Sequence, residues 1–123
     1  MSPTPRVCQL VSVTVGEVVV ARFQGPRVFL DEGAAEAAGG QLFKLADDMH
    51  GGTLLLDLGD VAYLNSTALD KLLLLHRRLR DADGQLVLYN VPPRIHALFE
   101  LTCLSEVLTV RQADSTLIES QRS

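Results

Sequence analysis

The chain has no tryptophan, only 5% aromatic residues, two cysteines and three histidines in 123 residues. Two Tyr and four Phe are too few to build the stacking platforms that hold single-stranded nucleic acid or carbohydrate. Positive charge is also short. Eleven Lys plus Arg face 15 Asp plus Glu, a net charge of −4, which argues against an electrostatic grip on a phosphate backbone. Cys8 and Cys103 stand far apart, with no C-x-x-C pair and no neighbouring His. Neither a disulfide framework nor a metal site is indicated, and both are read as buried free thiols in a reducing cytosol. No apolar run approaches the roughly 20 residues of a membrane span. The start, Met1-Ser2-Pro3-Thr4-Pro5-Arg6, lacks the apolar segment of a signal peptide. These absences lead us to expect a cytoplasmic protein that neither binds nucleic acid nor inserts into a membrane.

What is present is aliphatic. Hydrophobic residues make up 47% of the chain and charged residues 21%, the balance of a domain that folds around a packed core, and the length is that of one domain. Val11, Val13 and Val15 alternate with Ser12 and Thr14, which predicts a half-exposed strand over 7–15. A second strand, Val18–Phe23, completes a hairpin across Gly16-Glu17. From Asp31 to Met49 the period changes. Ala35, Ala38, Leu42, Leu45, Ala46 and Met49 share one face of a predicted helix, weakened by Gly39-Gly40. Leu54–Leu58 reads as a strand apolar on both faces. A helix over 66–82 buries Ala68, Leu72, Leu75 and Leu79, flanked by Leu69 and His76, and a strand follows at Leu86–Tyr89. Pro92-Pro93 opens a helix with Ile95, Leu98 and Phe99 on its face. Val107–Val110 is a last strand and Ala113–Ser120 a short terminal helix. This alternation implies right-handed crossovers and a largely parallel sheet.

Enzyme signatures are missing. There is no G-x-G-x-x-G after the first strand, no phosphate-binding G-x-x-x-x-G-K-[ST], no G-x-S-x-G and no H-E-x-x-H. His96 and Glu100, four apart on a helix, read as an ordinary surface pair rather than metal ligands. His76 reads as a partly buried core residue, and Asp57 as a strand end. No catalytic residue, metal or cofactor is expected.

The informative stretch runs from Asp57 to Asp70. Asn65, Ser66 or Thr67 can cap the orphan N–H groups of the following helix, and Thr67-x-x-Asp70 fits a capping box loosely. A helix start also favours anions, so a phosphate on Ser66 is compatible with the fold while adding about −1.5 to −2 charges to the surface. On the same helix Leu74 falls among Asp70, Arg77, Arg78 and Asp81, opposite the buried stripe. An apolar residue ringed by charges suits a transient docking face, bordered by Leu74 and Arg78.

These residues resemble the STAS domain (sulfate transporter and anti-sigma-factor antagonist), in its small single-domain antagonist group. The resemblance rests on Leu56-Asp57-Leu58, Val61–Leu64, Asn65-Ser66-Thr67-Ala68-Leu69, Leu79–Leu88, Val91–Ile95 and Leu98–Leu104. It implies an α/β fold, a mixed β-sheet of four to five strands with helices mainly on one face, in a single domain over 7–117 with tails at 1–6 and 118–123. It further implies partner switching. The unphosphorylated antagonist binds an anti-sigma factor that is also a serine kinase. The kinase phosphorylates the helix-start serine, here Ser66 with Thr67 as second candidate, and a serine phosphatase reverses the step. Three positions depart from the family pattern. Asn65 stands where the family usually has Asp, Ala68 where it has Gly, and Cys103 where a Gly is common. A non-phosphorylated STAS subunit of a lipid transporter or signalling complex is the alternative reading, and a small α/β enzyme a more distant one.

Overall fold

The computed structural model describes residues 10–24 and 28–112. Leu10–Val15 (β1) and Val18–Phe23 (β2) form the hairpin, paired in unbroken register from Leu10↔Phe23 to Val15↔Val18. Val28–Leu30 (β3) leads into the helix Glu32–Met49 (α1), and Gly52–Asp57 (β4) follows. Val61–Leu64 (β5) then leads into Ser66–Asp81 (α2), followed by Gly84–Val91 (β6), Pro93–Leu101 (α3), a 3-10 turn at Leu104–Glu106 and Thr109–Gln112 (β7). The main sheet has the order β1-β2-β4-β6-β7, antiparallel only at β1–β2. Outside it, β3 and β5 form a parallel two-stranded ribbon.

From β2 onward each strand is added on the same side of the last, so right-handed crossovers put all three helices on one face. That face holds the core: Val19, Ala21 and Phe23 of β2, Leu54 and Leu56 of β4, and Leu86 and Leu88 of β6 pack beneath Leu42, Leu72, Leu75 and Leu79. The opposite face carries the alternate residues. Strand register lines up Val13, Val20, Leu55 and Val87 across it, ending at Val13, which is 61% exposed. Leu55 is therefore only half-buried, and β4 is covered on one face rather than two.

Helix α1 runs unbroken through Gly39-Gly40. Gly39 is buried because the stem of Lys71 lies across it, where an added Cβ would come within 2.9 Å of Lys71 Cδ. The glycine's cost in helix propensity is set against close packing of α1 on α2.

Four further expectations change. Residues 28–30 and 61–64, to which the sequence pattern assigned no helix or strand, are strands. The last strand begins at Thr109 because the 3-10 turn occupies the chain before it. Thr67 does not cap α2; it lies inside the helix, and Asn65 is the cap. Cys103 is exposed rather than buried, and it adopts a left-handed conformation at φ 61°. That conformation favours glycine. Arg78, expected at the border of the docking face, is exposed and pairs with Asp47 of α1. The predicted helix at 113–120, Cys8 and the start of the first predicted strand lie outside the described residues.

Candidate functional site

The site is assembled where β4 ends. Asp57, the last residue of β4, uses Oδ1 to accept hydrogen bonds from Gly59 N–H at 2.7 Å and from Asn90 Nδ2 at 3.1 Å. Leu58 N–H donates to the Tyr89 carbonyl, and Val61 N–H to the Leu58 carbonyl. The carboxylate therefore ties the β4–β5 turn to β6. A Cβ on Gly59 would collide with the Asn90 amide and approach Asp57 Oδ1 at 3.0 Å, so the turn accepts only glycine there without a shift. Burial, then the Asp57 charge, raises the Tyr89 phenol above its ordinary range, opposed by Arg22. Asp57 is a structural clamp and Tyr89 stays neutral beside it.

The turn delivers β5 to β3. Leu30 is the register partner of Leu64, and Asn65 N–H donates to the Leu30 carbonyl at 3.2 Å. The next residues, Asp31 and Asn65, are the N-caps of α1 and α2, so two helices start side by side. Asn65 Oδ1 accepts from Ala68 N–H at 3.0 Å, and Asp31 Oδ1 from Ala34 N–H at 3.2 Å. Because Asn65 does the capping, the Ser66 hydroxyl is released from that duty. Ser66 is exposed at the first helical position, Thr67 is half-buried and Ala68 is buried with its methyl in the core. Ahead of the intrahelical ladder, the N–H groups of Ser66 and Thr67 point out of the helix end, the polarity that favours an anion.

The surface around Ser66 is part apolar. Phe29 and Tyr63 are register partners on the outer face of the ribbon, 50% and 48% exposed. In a chain with six aromatic residues in all, two side by side next to an exposed serine form a distinct patch. Along α2, Ser66, Asp70 and Leu74 follow at four-residue spacing, all exposed, with Leu74 at 46%. Arg78 takes a different part. Its Nη1 meets Asp47 Oδ1 and Oδ2 at 3.3 and 3.0 Å, and its guanidinium lies 4.7 Å from the Phe43 ring centroid. It braces α2 against α1, one helical turn beyond Leu74. Phe29 and Tyr63 were missed in the sequence because their strands are short; the signal available was Val28 and Leu30 flanking Phe29 as buried residues around an exposed one.

The partly buried His96 lies with Nδ1 3.4 Å from Oε1 of the exposed Glu100, and no cluster of three or more metal-ligating side chains occurs among the described residues. No helix among them is long and apolar enough to cross a membrane.

The STAS domain model matches residues 9–116. The chain belongs to the STAS domain family. This STAS chain is 31% identical over 64 residues to the anti-sigma-B factor antagonist of Listeria monocytogenes, an alignment covering 52% of this chain and 56% of that protein. It thus spans just over half the length of that relative. Among solved structures it resembles an anti-sigma factor antagonist from Mycobacterium paratuberculosis, with a TM-score of 0.73 at 19% identity over 98% of both chains. It also resembles the Bacillus cell fate determinant SpoIIAA in its phosphorylated form, with a TM-score of 0.63 at 18% identity over 93% of this chain and 99% of that one. These likenesses agree with the mixed sheet and one-sided helices of the fold.

Proposed function

We propose that this STAS chain is an anti-sigma-factor antagonist that works by partner switching, with Ser66 as its phosphorylation site. The observation that carries the reading is the exposed Ser66 hydroxyl at the first position of α2, freed by the Asn65 cap. In the unphosphorylated state, the patch of Tyr63, Phe29, Ser66 and Leu74 receives an anti-sigma factor with serine kinase activity. Phosphate transfer to Ser66 places a dianion at a helix start, where the fold tolerates it, and in the middle of an apolar contact, where the partner does not. A serine phosphatase restores the binding form. The chain acts in the cytoplasm as substrate, with the ATP and the chemistry brought by the kinase.

Incubation with the cognate kinase and ATP is expected to add one phosphate, mapped to Ser66 by mass spectrometry and lost in Ser66→Ala. Transfer to Thr67 alone, or to neither, would overturn the site. Leu74→Asp is expected to weaken kinase binding at least tenfold with the fold intact; unchanged affinity removes Leu74 from the surface.

A second reading is favoured by Asn65 itself. The family's usual Asp is absent, and a chain that docks through the same patch without being phosphorylated, as a subunit of a transporter or signalling complex, needs no carboxylate there. Co-purification with such a complex, and no phosphorylated form under any condition, would select it.

A further inference from the structure

One edge of the main sheet is β1. Its sequence, Leu10-Val11-Ser12-Val13-Thr14-Val15, has no charge and no proline, and it contains no bulge. Edge strands are ordinarily guarded by lysine, proline, a bulge or a covering element. Here the described residues supply one guard, at the strand's start, where Leu10 N–H donates to Gln41 Oε1 at 3.2 Å. That bond also sets the strand's parity. In an antiparallel pair the N–H and C=O of one residue point to the same side, and successive residues alternate. Leu10, Ser12 and Thr14 therefore direct their backbone groups away from β2, while Val11, Val13 and Val15 direct theirs toward it. The two-residue turn at Gly16-Glu17 requires the same parity, since it closes on Val15 and Val18 as a hydrogen-bonded pair. Ser12 and Thr14 thus present their amide and carbonyl groups at the edge, and no described residue is bonded to them there. On the uncovered face Val13 and Val15 are 61% and 68% exposed.

We propose that β1 pairs with β1 of a second copy of this chain, antiparallel about a two-fold axis through Val13. The segment Val11-Ser12-Val13-Thr14-Val15 keeps its alternation of valine and hydroxyl residue when read in reverse, which an interface using the same patch on both copies requires. The register follows from the parity. Ser12 exchanges both backbone hydrogen bonds with Thr14 of the second copy, and Thr14 with its Ser12. Val13 faces its own counterpart as a non-hydrogen-bonded pair, with Cα atoms about 4.5 Å apart. Val11 lies opposite Val15. Valines meet on the uncovered face, small hydroxyl residues meet on the other, and no like charges come together. The pairing uses none of the residues of the Ser66 surface, so each copy keeps its site.

Sedimentation equilibrium of the full chain tests this. The expected species is twice the 13.4 kDa chain mass, returning to monomer on dilution. Val13→Lys sets two cations face to face on the axis and is expected to give monomer at every concentration. Ser12→Pro removes an outward donor without touching the β1–β2 ladder and is expected to do the same, with an unchanged circular dichroism spectrum. A wild-type chain that stays monomeric at all concentrations overturns the proposal. So does a dimer that persists in both variants, since another surface must then hold it.

Discussion

Two helices begin side by side in this molecule, and they begin differently. Both come directly after a ribbon strand, and both are capped by an oxygen that accepts from the N–H three residues on, Asp31 for α1 and Asn65 for α2. The geometry is shared but the charge is not. A neutral amide caps α2 as closely as a carboxylate caps α1, so capping alone does not require an acid at 65. The adjacency also supplies a physical reason for the amide. With Leu30 and Leu64 in register, an aspartate at 65 stands next to Asp31, and like charges across neighbouring strands oppose each other. Three and four residues past the cap the two helices bury alike, Ala34 and Ala35 in α1 and Ala68 and Leu69 in α2. What α2 adds is a hydroxyl ahead of them, Ser66 at its first position, exposed to solvent.

The largest test removes one start and spares the other. Gly59→Ala forces a methyl against Asn90 and Asp57 in the turn that delivers α2, and overpacking of this kind is expected to cost about 2 kcal/mol in denaturant unfolding. Phosphorylation of Ser66 should fall with it, while the hairpin and α1 keep their amide protection. Equal loss of protection at the start of α1 would break the distinction. Next, Asn65→Ala and Asp31→Ala should each cost about 1 kcal/mol, the usual worth of a cap, yet only Asn65→Ala should alter transfer of phosphate to Ser66.

A smaller effect distinguishes the bodies of the two helices. The stripe by which α1 packs is alanine and leucine, but α2 carries half-buried His76, whose Nδ1 is buried without a hydrogen-bond partner among the described residues. Burial, then the charges of Arg80 and Arg77, lower its pKa below the ordinary 6.5. The unfolded chain therefore binds more protons in the window just below pH 6.5, and stability falls as pH is lowered through it. His76→Leu should remove that part of the slope, measured as the change in unfolding midpoint between neutral and mildly acidic buffer. The smallest effect is the coupling of the caps. Asn65→Asp should be nearly neutral alone and more favourable in an Asp31→Asn background, a coupling of about 0.5 kcal/mol in a double-mutant cycle.

Helix α2 was legible in the sequence because its signals agree. A capping residue precedes a leucine stripe at helical spacing, and Asp83-Gly84 closes it. The serine at its start was legible for the same reason. The ribbon that positions it was not. Val28–Leu30 has three residues, and its register with Val61–Leu64 shifts between Val28 and Phe29, so neither segment shows a sustained alternation. Their pairing joins residues more than thirty positions apart, a relation no local pattern carries. The role of Arg78 depended likewise on which face of α1 meets α2, and Phe43 and Asp47 disclosed it only once the helices were packed. The conformation behind Cys103 was hidden too, because a positive φ leaves no mark on the sequence unless a glycine occupies it.

The β3–β5 ribbon also bears on the order in which the chain assembles. Closing a loop from Leu30 to Asn65 costs entropy that local contacts do not repay, and the strands can meet only when α1 and β4 have brought their ends together. The serine's setting is thus completed late, after most of the first half of the domain has formed. A kinase that reads the ribbon and the helix start together would leave the nascent or unfolded chain unmarked, and phosphate on Ser66 would then report a finished fold as well as a signal.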